Sequence, residues 1–354
     1  MADKFMKSIT FVEGGDAYYP LPKVTNADNG KVLKVVDGAW SVTDLIPPPY
    51  LSFLGNEDFT LKTYNTTKNW DGTLEYSTDK STWNTWDGTE ISSSGSKLYL
   101  RGTGNTRITG NDNYYRFVFT GTDTLKIACK GNIENLLDYE TVSAGGHPTM
   151  ISYCYRSMFY GCTSLTTAPE LPATMLATGC YEDMFYGCTS LTTTPALPAT
   201  TLADYCYCYM FCGCTAITTA PALPATTLAG ICYNSMFYGC TSLTTAPELP
   251  ATTLAGNCYS YMFYGCTSLT TAPALPATTL AGNCYSNMFN GCTNIKLSTT
   301  QTEEYQTAYR IPTSGTGKTA LKALQDMFAN TGGTFTGTPE INTTYYLSTS
   351  NTVV

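Results

Sequence analysis

The sequence predicts a mixed, β-rich protein: a small N-terminal β domain followed by a solenoid of six 26-residue units with a cap at each end. Three observations carry this. The core C-Y-x-x-M-F-x-G-C-T-x-(L/I)-T-T-x-P recurs with almost no drift, its first cysteine at Cys154, Cys180, Cys206, Cys232, Cys258 and Cys284 and its second at Cys162, Cys188, Cys214, Cys240, Cys266 and Cys292. A fixed period between about 20 and 50 residues means a stacked array in which each unit buries its apolar edge against its neighbours. Ahead of the array, residues 50–121 show short alternating runs separated by Asp-Gly turns, and behind it the repeat fades into an atypical copy.

In chain order, residues 1–49 form a leader. Within it Lys31–Val36 and Ala39–Val42 flank Asp37-Gly38, the signature of a hairpin with a type I′ turn. Pro47-Pro48-Pro49 then forms a stiff polyproline spacer. Strands are expected at Phe59–Asn65, Gly72–Thr78, Lys97–Arg101 and Tyr115–Thr120, forming a small β-sandwich around Trp70, Trp83 and Trp86. Residues 122–150 form the N-terminal cap, with an apolar strand near Leu125–Cys129.

The six repeats occupy residues 151–300. In the fifth, Leu254, Cys258 and Met262 recur every four residues, which predicts one face of a short helix ended by Gly265. Leu269–Ala272 reads as a short strand, so that successive strands stack in parallel and line up a threonine ribbon. The C-terminal cap spans residues 301–354. There Met327-Phe328, Phe335 and Pro339 echo the repeat, Thr331 replaces the cysteine, and Ala320–Ala329 is expected to be helical.

Composition narrows the function. Charged residues are 13% of the chain, about half the usual share, and the net charge is -8. Between Met150 and Thr300 only Arg156, Glu170, Glu182, Asp183, Asp204, Glu248 and Lys296 carry charge. This leaves no basic stripe for nucleic acid. The N-terminus has no apolar h-region, so no secretory signal is expected, and no run reaches membrane-spanning length. Folding in a cytoplasm follows, and the fifteen cysteines then read as buried free thiols in two inward ladders.

Catalytic chemistry is sparse. Ser314–Thr319 supplies half of a phosphate loop, with Pro312 where the first glycine belongs. Cys206, Cys208, Cys212 and Cys214 are dense enough for zinc, but on a helix Cys208 and Cys212 point outward while the other pair points inward. His147, the single histidine, sits beside Gly-Gly and Pro in an expected exposed bend, and adjacent Glu182 and Asp183 should diverge. No catalytic residue, metal or cofactor is assigned, and the chain reads as a non-enzyme.

Tyrosine carries the binding expectation. Tyr160, Tyr186, Tyr238 and Tyr264 share one repeat slot turned away from the core. A second column, Tyr155, Tyr181, Tyr207, Tyr233, Tyr259 and Tyr285, is expected to be half-buried. The pair after each of these differs from repeat to repeat, as if free of core duty, and contributes Tyr209 and Tyr261 to the candidate set. Exposed rings amid hydroxyls suit sugars; a ladder that only covers the edge of the array is the alternative reading.

The run L-P-A-T-T-L-A-G-N-C-Y-S-x-M-F-x-G-C-T-x-(L/I) resembles the BspA-like leucine-rich repeat, with slightly longer units and Met in place of a small residue. That resemblance implies a leucine-rich-repeat solenoid used for adhesion to host cells or matrix. The segment Ser8–Val42 is similar to the N-terminal segment of phage fibre proteins, especially head fibres. This second resemblance implies a virion protein assembled in the host cytoplasm, commonly a homotrimer. Its leader would dock on a capsid or tail protein, with Tyr18, Tyr19, Leu33, Val35 and Trp40 as anchoring candidates. The array would then be presented to a host-surface or mucus glycan or protein. A bacterial surface adhesin is the alternative, and a glycan depolymerase a weaker one.

Overall fold

A computed structural model describes residues 31–36, 39–44, 48–66, 68–110, 115–312 and 322–354. The chain divides into two compact units, Met1–Pro48 and Pro49–Val354. In the first, β1 (Lys31–Val36) and β2 (Ala39–Asp44) pair antiparallel, with Val36 opposite Ala39, Val35 opposite Trp40 and Leu33 opposite Val42. That register is the one a two-residue link requires. The Asp37-Gly38 turn type, Tyr18 and Tyr19 lie outside the described residues.

The second unit opens with two sheets. One has six strands in the order β11-β10-β3-β8-β5-β6, namely Leu165–Thr167, Ile127–Lys130, Leu51–Gly55, Lys97–Thr103, Thr73–Ser77 and Asn84–Trp86. The other is β7-β4-β9: Ile91–Ser92, Thr60–Thr63 and Phe117–Thr120. Phe53 of the first sheet meets Phe117 and Phe119 of the second at 6.4 and 5.2 Å between ring centroids, so the two share one apolar core. Trp70 and Trp86 stack inside it at 5.2 Å. Trp83 does not join them. It is half-exposed, and the Arg101 guanidinium lies 4.1 Å from its ring centroid. Its indole N–H donates to the Lys80 carbonyl instead of seeking a partner in an apolar interior.

This strand region also closes the first coil. Ile108, Phe117, Ile127 and Ile133 donate backbone N–H groups to Cys154, Met158, Ser164 and Glu170. The cap therefore begins ahead of residue 122. It also contains one helix that the sequence did not suggest, α1 (Asn135–Ser143), broken at Asp138 by an extended φ of -156°.

The repeats are stacked coils, and their inward segment is not the expected helix. Tyr153, Tyr155, Ser157, Phe159 and Gly161 donate N–H groups across to Thr178, Cys180, Glu182, Met184 and Tyr186 of the next coil, at 2.7–3.0 Å. The intervening Arg156, Met158, Tyr160 and Cys162 donate to the carbonyl three residues before. Every fourth residue is left-handed, as at Tyr153, Ser157 and Gly161 with φ of 62°, 56° and 70°. The result is a ribbon of consecutive turns. A helix would spend each N–H on its own chain four residues back, whereas here alternate N–H groups bind the neighbouring coil. Because the turn repeats every four residues, the expected inward face survives: Cys154, Met158 and Cys162 are all buried.

The threonine strands are also reduced. Only β11 and β12 (Thr271–Ala272) qualify, while elsewhere single parallel bridges link Thr167 to Thr193 and Thr219 to Thr245. Pro169, Pro195, Pro221 and Pro247 follow within two residues, have no N–H to donate, and end the ladder.

The C-terminal cap continues the ribbon. Tyr285, Asn287, Phe289 and Gly291 donate to Ala323, Gln325, Met327 and Ala329. Asp326 and Asn330 have φ of 53° and 54°, so the expected helix over 320–329 is a further turn segment, helical only at Lys322–Ala323 among its described residues. Phe328 stacks on Phe289 at 5.4 Å, which makes Met327-Phe328 a true copy of the repeat. A four-stranded sheet, β14-β16-β13-β15, completes the cap (Tyr305–Arg310, Thr344–Ser348, Lys296–Ser298 and Gly332–Gly333), and β17 (Thr352–Val353) pairs with β12. Among the described residues no helix is long and apolar enough to cross a membrane.

Candidate functional site

Three aromatic columns run along the stack. The first-column tyrosines, Tyr155 to Tyr285, are fully buried rather than half-buried and stack at 5.7–5.9 Å. Burial pushes their phenols well above the ordinary range, so they are neutral core residues. Beside them Phe159, Phe185, Phe211, Phe237, Phe263 and Phe289 form a second inner column at 5.6–5.8 Å.

All fifteen cysteines are buried free thiols. The second-column sulfurs have a task that spacing alone did not reveal. Cys188, Cys214, Cys240, Cys266 and Cys292 each donate S–H to the phenylalanine carbonyl of the preceding coil, at 2.9–3.1 Å. Cys162 does the same to Phe117 of the strand region at 3.3 Å. Burial raises these thiols, to about 12 for Cys162, which keeps the proton in place for that bond.

The outer column holds the predicted binding residues. Tyr160 and Tyr186 stack at 4.6 Å, and so do Tyr238 and Tyr264. Cys212 fills the same slot in the third coil and splits the column into these two pairs. Tyr209 leans on Tyr186 at 6.5 Å and 50°, and Tyr261 leans on Tyr264 at 5.8 Å and 40°. The six predicted residues thus gather into two triads, each with two stacked rings and one tilted ring. Stacking spends the inner ring faces, so edges and hydroxyls dominate what the pairs present. Tyr209 and Tyr261 are each 38% exposed, and Tyr238 of the second pair is 37% exposed. Tyr186 is pushed up to about 12, chiefly by the neighbouring Cys212 thiol.

The variable pair is not free of core duty. Ser157, Cys208, Ser235 and Ser260 are buried, and only Tyr209 and Tyr261 emerge from these slots. Cys208 and Cys212 do not point outward either, being 2% and 4% exposed. Among the described residues no group of three or more His, Cys, Asp or Glu side chains is placed to hold a metal. Glu182 and Asp183 do not diverge: both turn to Arg156, at 3.2 and 4.0 Å. Burial raises them to about 7 and about 6 against the opposing pull of that guanidinium.

His147 lies in the expected exposed bend, with Nδ1 2.8 Å from Oε2 of buried Glu134, a partner that sequence reasoning missed. Ser314–Thr319 lie outside the described residues. Sequence reasoning also missed Arg116, whose guanidinium lies 4.2 Å from the Tyr64 centroid and 5.4 Å from Tyr160. It reaches the head of the tyrosine column from just ahead of β9, remote in sequence, and no spacing rule would have found it.

Residues 147–225 and 206–310 match the family model described as BspA type leucine rich repeat region (6 copies). No curated protein and no solved structure matches the chain. The array is therefore similar to BspA-type leucine-rich repeats, while the leader and the strand region up to residue 146 lie outside the match.

Proposed function

We propose that the chain is an adhesive recognition protein: a leucine-rich-repeat solenoid that displays its outer tyrosine triads to a host-surface or mucus glycan. The observation that supports this best is the contrast in polarity along the stack. Phenol edges and the exposed rings of Tyr209, Tyr238 and Tyr261 stand on a hydroxyl-rich surface with few charges, a chemistry suited to sugar hydroxyls and CH faces. The family match supports a surface adhesin-like repeat protein in the same direction. No catalysis is assigned. The test is glycan-array binding by the purified full chain beside Tyr209→Ala and Tyr261→Ala. Loss of the bound glycans in the variants supports the reading, and binding that is unchanged in both removes it.

Two carriers fit this activity, and each has its own support. The leader's likeness to head-fibre N-termini, together with its β1–β2 hairpin, favours a phage particle. The leader would dock on a capsid or tail protein, in a homotrimer. The repeat match favours a bacterial surface adhesin. Antibody to this chain applied to intact purified particles separates them: labelled virions support the first carrier, and labelled bacterial cells with bare virions support the second.

A further inference from the structure

We propose that the groove between the strand region and the first two coils binds an acidic saccharide through Arg116 and Lys126. This deepens the glycan reading above and rests on it. Two hollows, of about 220 and about 460 Å³, lie side by side and share Phe119, Thr163 and Ser164. The larger is within the usual range for a small-ligand site. Tyr64, Arg116 and Tyr160 line the first, and Lys126, Thr189 and Ser190 line the second.

The two cations are held differently. Arg116 lies against the rings of Tyr64 and Tyr160, contacts that orient a guanidinium without neutralising it. Among the described residues no carboxylate forms an ion pair with it. Lys126 Nζ donates to Ser190 Oγ at 2.7 Å, which reaches over the second coil and leaves the ammonium its charge. Asp123 is the one carboxylate among the lining residues. Nearby Glu57 is engaged by the Thr122 N–H and hydroxyl at 2.9 and 2.6 Å. Among the lining residues Arg116 and Lys126 exceed Asp123 by one charge in a chain of net charge -8, while Glu57 keeps its own charge behind Thr122.

That pattern fits one anionic group on a hydroxylated ring. A carboxylate or sulfate takes the planar guanidinium fork, the CH face of the sugar lies on Phe119, and ring hydroxyls meet the Thr163 and Ser164 side chains. A polyphosphate chain fits poorly, because the surrounding protein repels a line of charge. At its open end the groove meets Tyr160, so a longer chain runs on towards the first triad.

The experiment measures Kd by calorimetry on the full chain, with three probes. They are a uronic-acid tetrasaccharide, the same tetrasaccharide after carboxyl reduction, and a sulfated tetrasaccharide; an Asp/Glu tetrapeptide serves as competitor. One charge-assisted bond predicts about tenfold tighter binding of an acidic probe than of the reduced one. Arg116→Gln should abolish that preference and Lys126→Gln should shrink it. Arg116→Lys should retain part of it. If Arg116→Gln fails to fold, Lys126→Gln carries the same test, since among the described residues its Nζ is hydrogen-bonded to the Ser190 hydroxyl alone. Whichever acidic probe binds tighter identifies carboxylate or sulfate as the group read. Equal binding of acidic and reduced probes overturns this proposal and leaves the glycan reading intact. So does an undiminished preference in both Arg116→Gln and Lys126→Gln, or tighter binding of the tetrapeptide. No saccharide binding at all overturns both.

Discussion

The strand region and the coils solve the same burial problem with opposite bonding schemes. In residues 51–130 apolar residues alternate, two sheets face each other, and Phe53, Phe117 and Trp86 fill one core contributed by both. In the coils each residue type meets its own copy one coil away, phenylalanine on phenylalanine and tyrosine on tyrosine. The first scheme tolerates varied side chains because each contact is particular. The second demands near-identity inside, since one altered residue faces two neighbours. That demand explains why Cys, Tyr, Met and Phe barely drift in the array, while the outer slots hold tyrosine, cysteine or asparagine.

The largest break in this comparison is Phe237→Ala. Its ring stacks on both Phe211 and Phe263 at 5.6 and 5.8 Å, and its loss should cost about 3–5 kcal/mol. Amide exchange should speed up in the third to fifth coils and stay slow in β3 and β8. Uniform acceleration would mean that the coils are not coupled mainly to their neighbours. Next comes the left-handed position. Gly239 has φ of 68° with open space where a Cβ would stand, so Gly239→Val acts through backbone conformation alone. It should cost about 1–3 kcal/mol in a denaturant melt. Asn257→Gly, at φ of 55°, should stay within about 0.5 kcal/mol.

The pH dependence sharpens the comparison further. Glu182 and Asp183 have folded-state values raised by burial, to about 7 and about 6. A carboxyl raised on folding binds its proton more tightly in the native state, so stability falls as pH rises from the unfolded values near 4 towards 7. Thermal unfolding should therefore occur at higher temperature at pH 5 than at pH 8, and Glu182→Gln with Asp183→Asn should flatten that slope. A slope unchanged by the double substitution would assign it to other groups, with buried Glu134 the next candidate. A further effect concerns the thiol bond. Cys240→Ala leaves the Phe211 carbonyl with only its Cys214 N–H and should cost about 1 kcal/mol, whereas Cys240→Ser retains a donor and should cost less.

Much of this was legible in the sequence. The period defined the coils, and the four-residue spacing of Leu254, Cys258 and Met262 told which side faces in. What that spacing could not do was separate a helix from a turn ribbon, because both return to the same face after four residues. The missing discriminator was chemical: Asn257 and Gly265, or Asn283, Asn287 and Gly291, place residues that tolerate left-handed backbone at four-residue steps. The repeat placed Tyr160, Tyr186, Tyr238 and Tyr264 in one slot, but their pairing was not visible, since ring stacking depends on the coil rise. Trp83 was misplaced because it lies just ahead of β6, where strand alternation no longer applies; its indole and that of buried Trp86 both donate to a carbonyl. Arg116 was missed because Tyr64 and Tyr160 lie far away in the chain, and Glu134 because its partner His147 follows 13 residues later, beyond the end of α1.

The most direct test is a thiol count by mass spectrometry after alkylation, without reductant, first on the native chain and then in denaturant. If each coil lends its neighbour a dry face, the native protein should resist labelling, and all fifteen cysteines should label once it is unfolded. Rapid labelling of the Cys154-to-Cys284 or Cys162-to-Cys292 columns in the native state would contradict the account, and so would a denatured count well below fifteen.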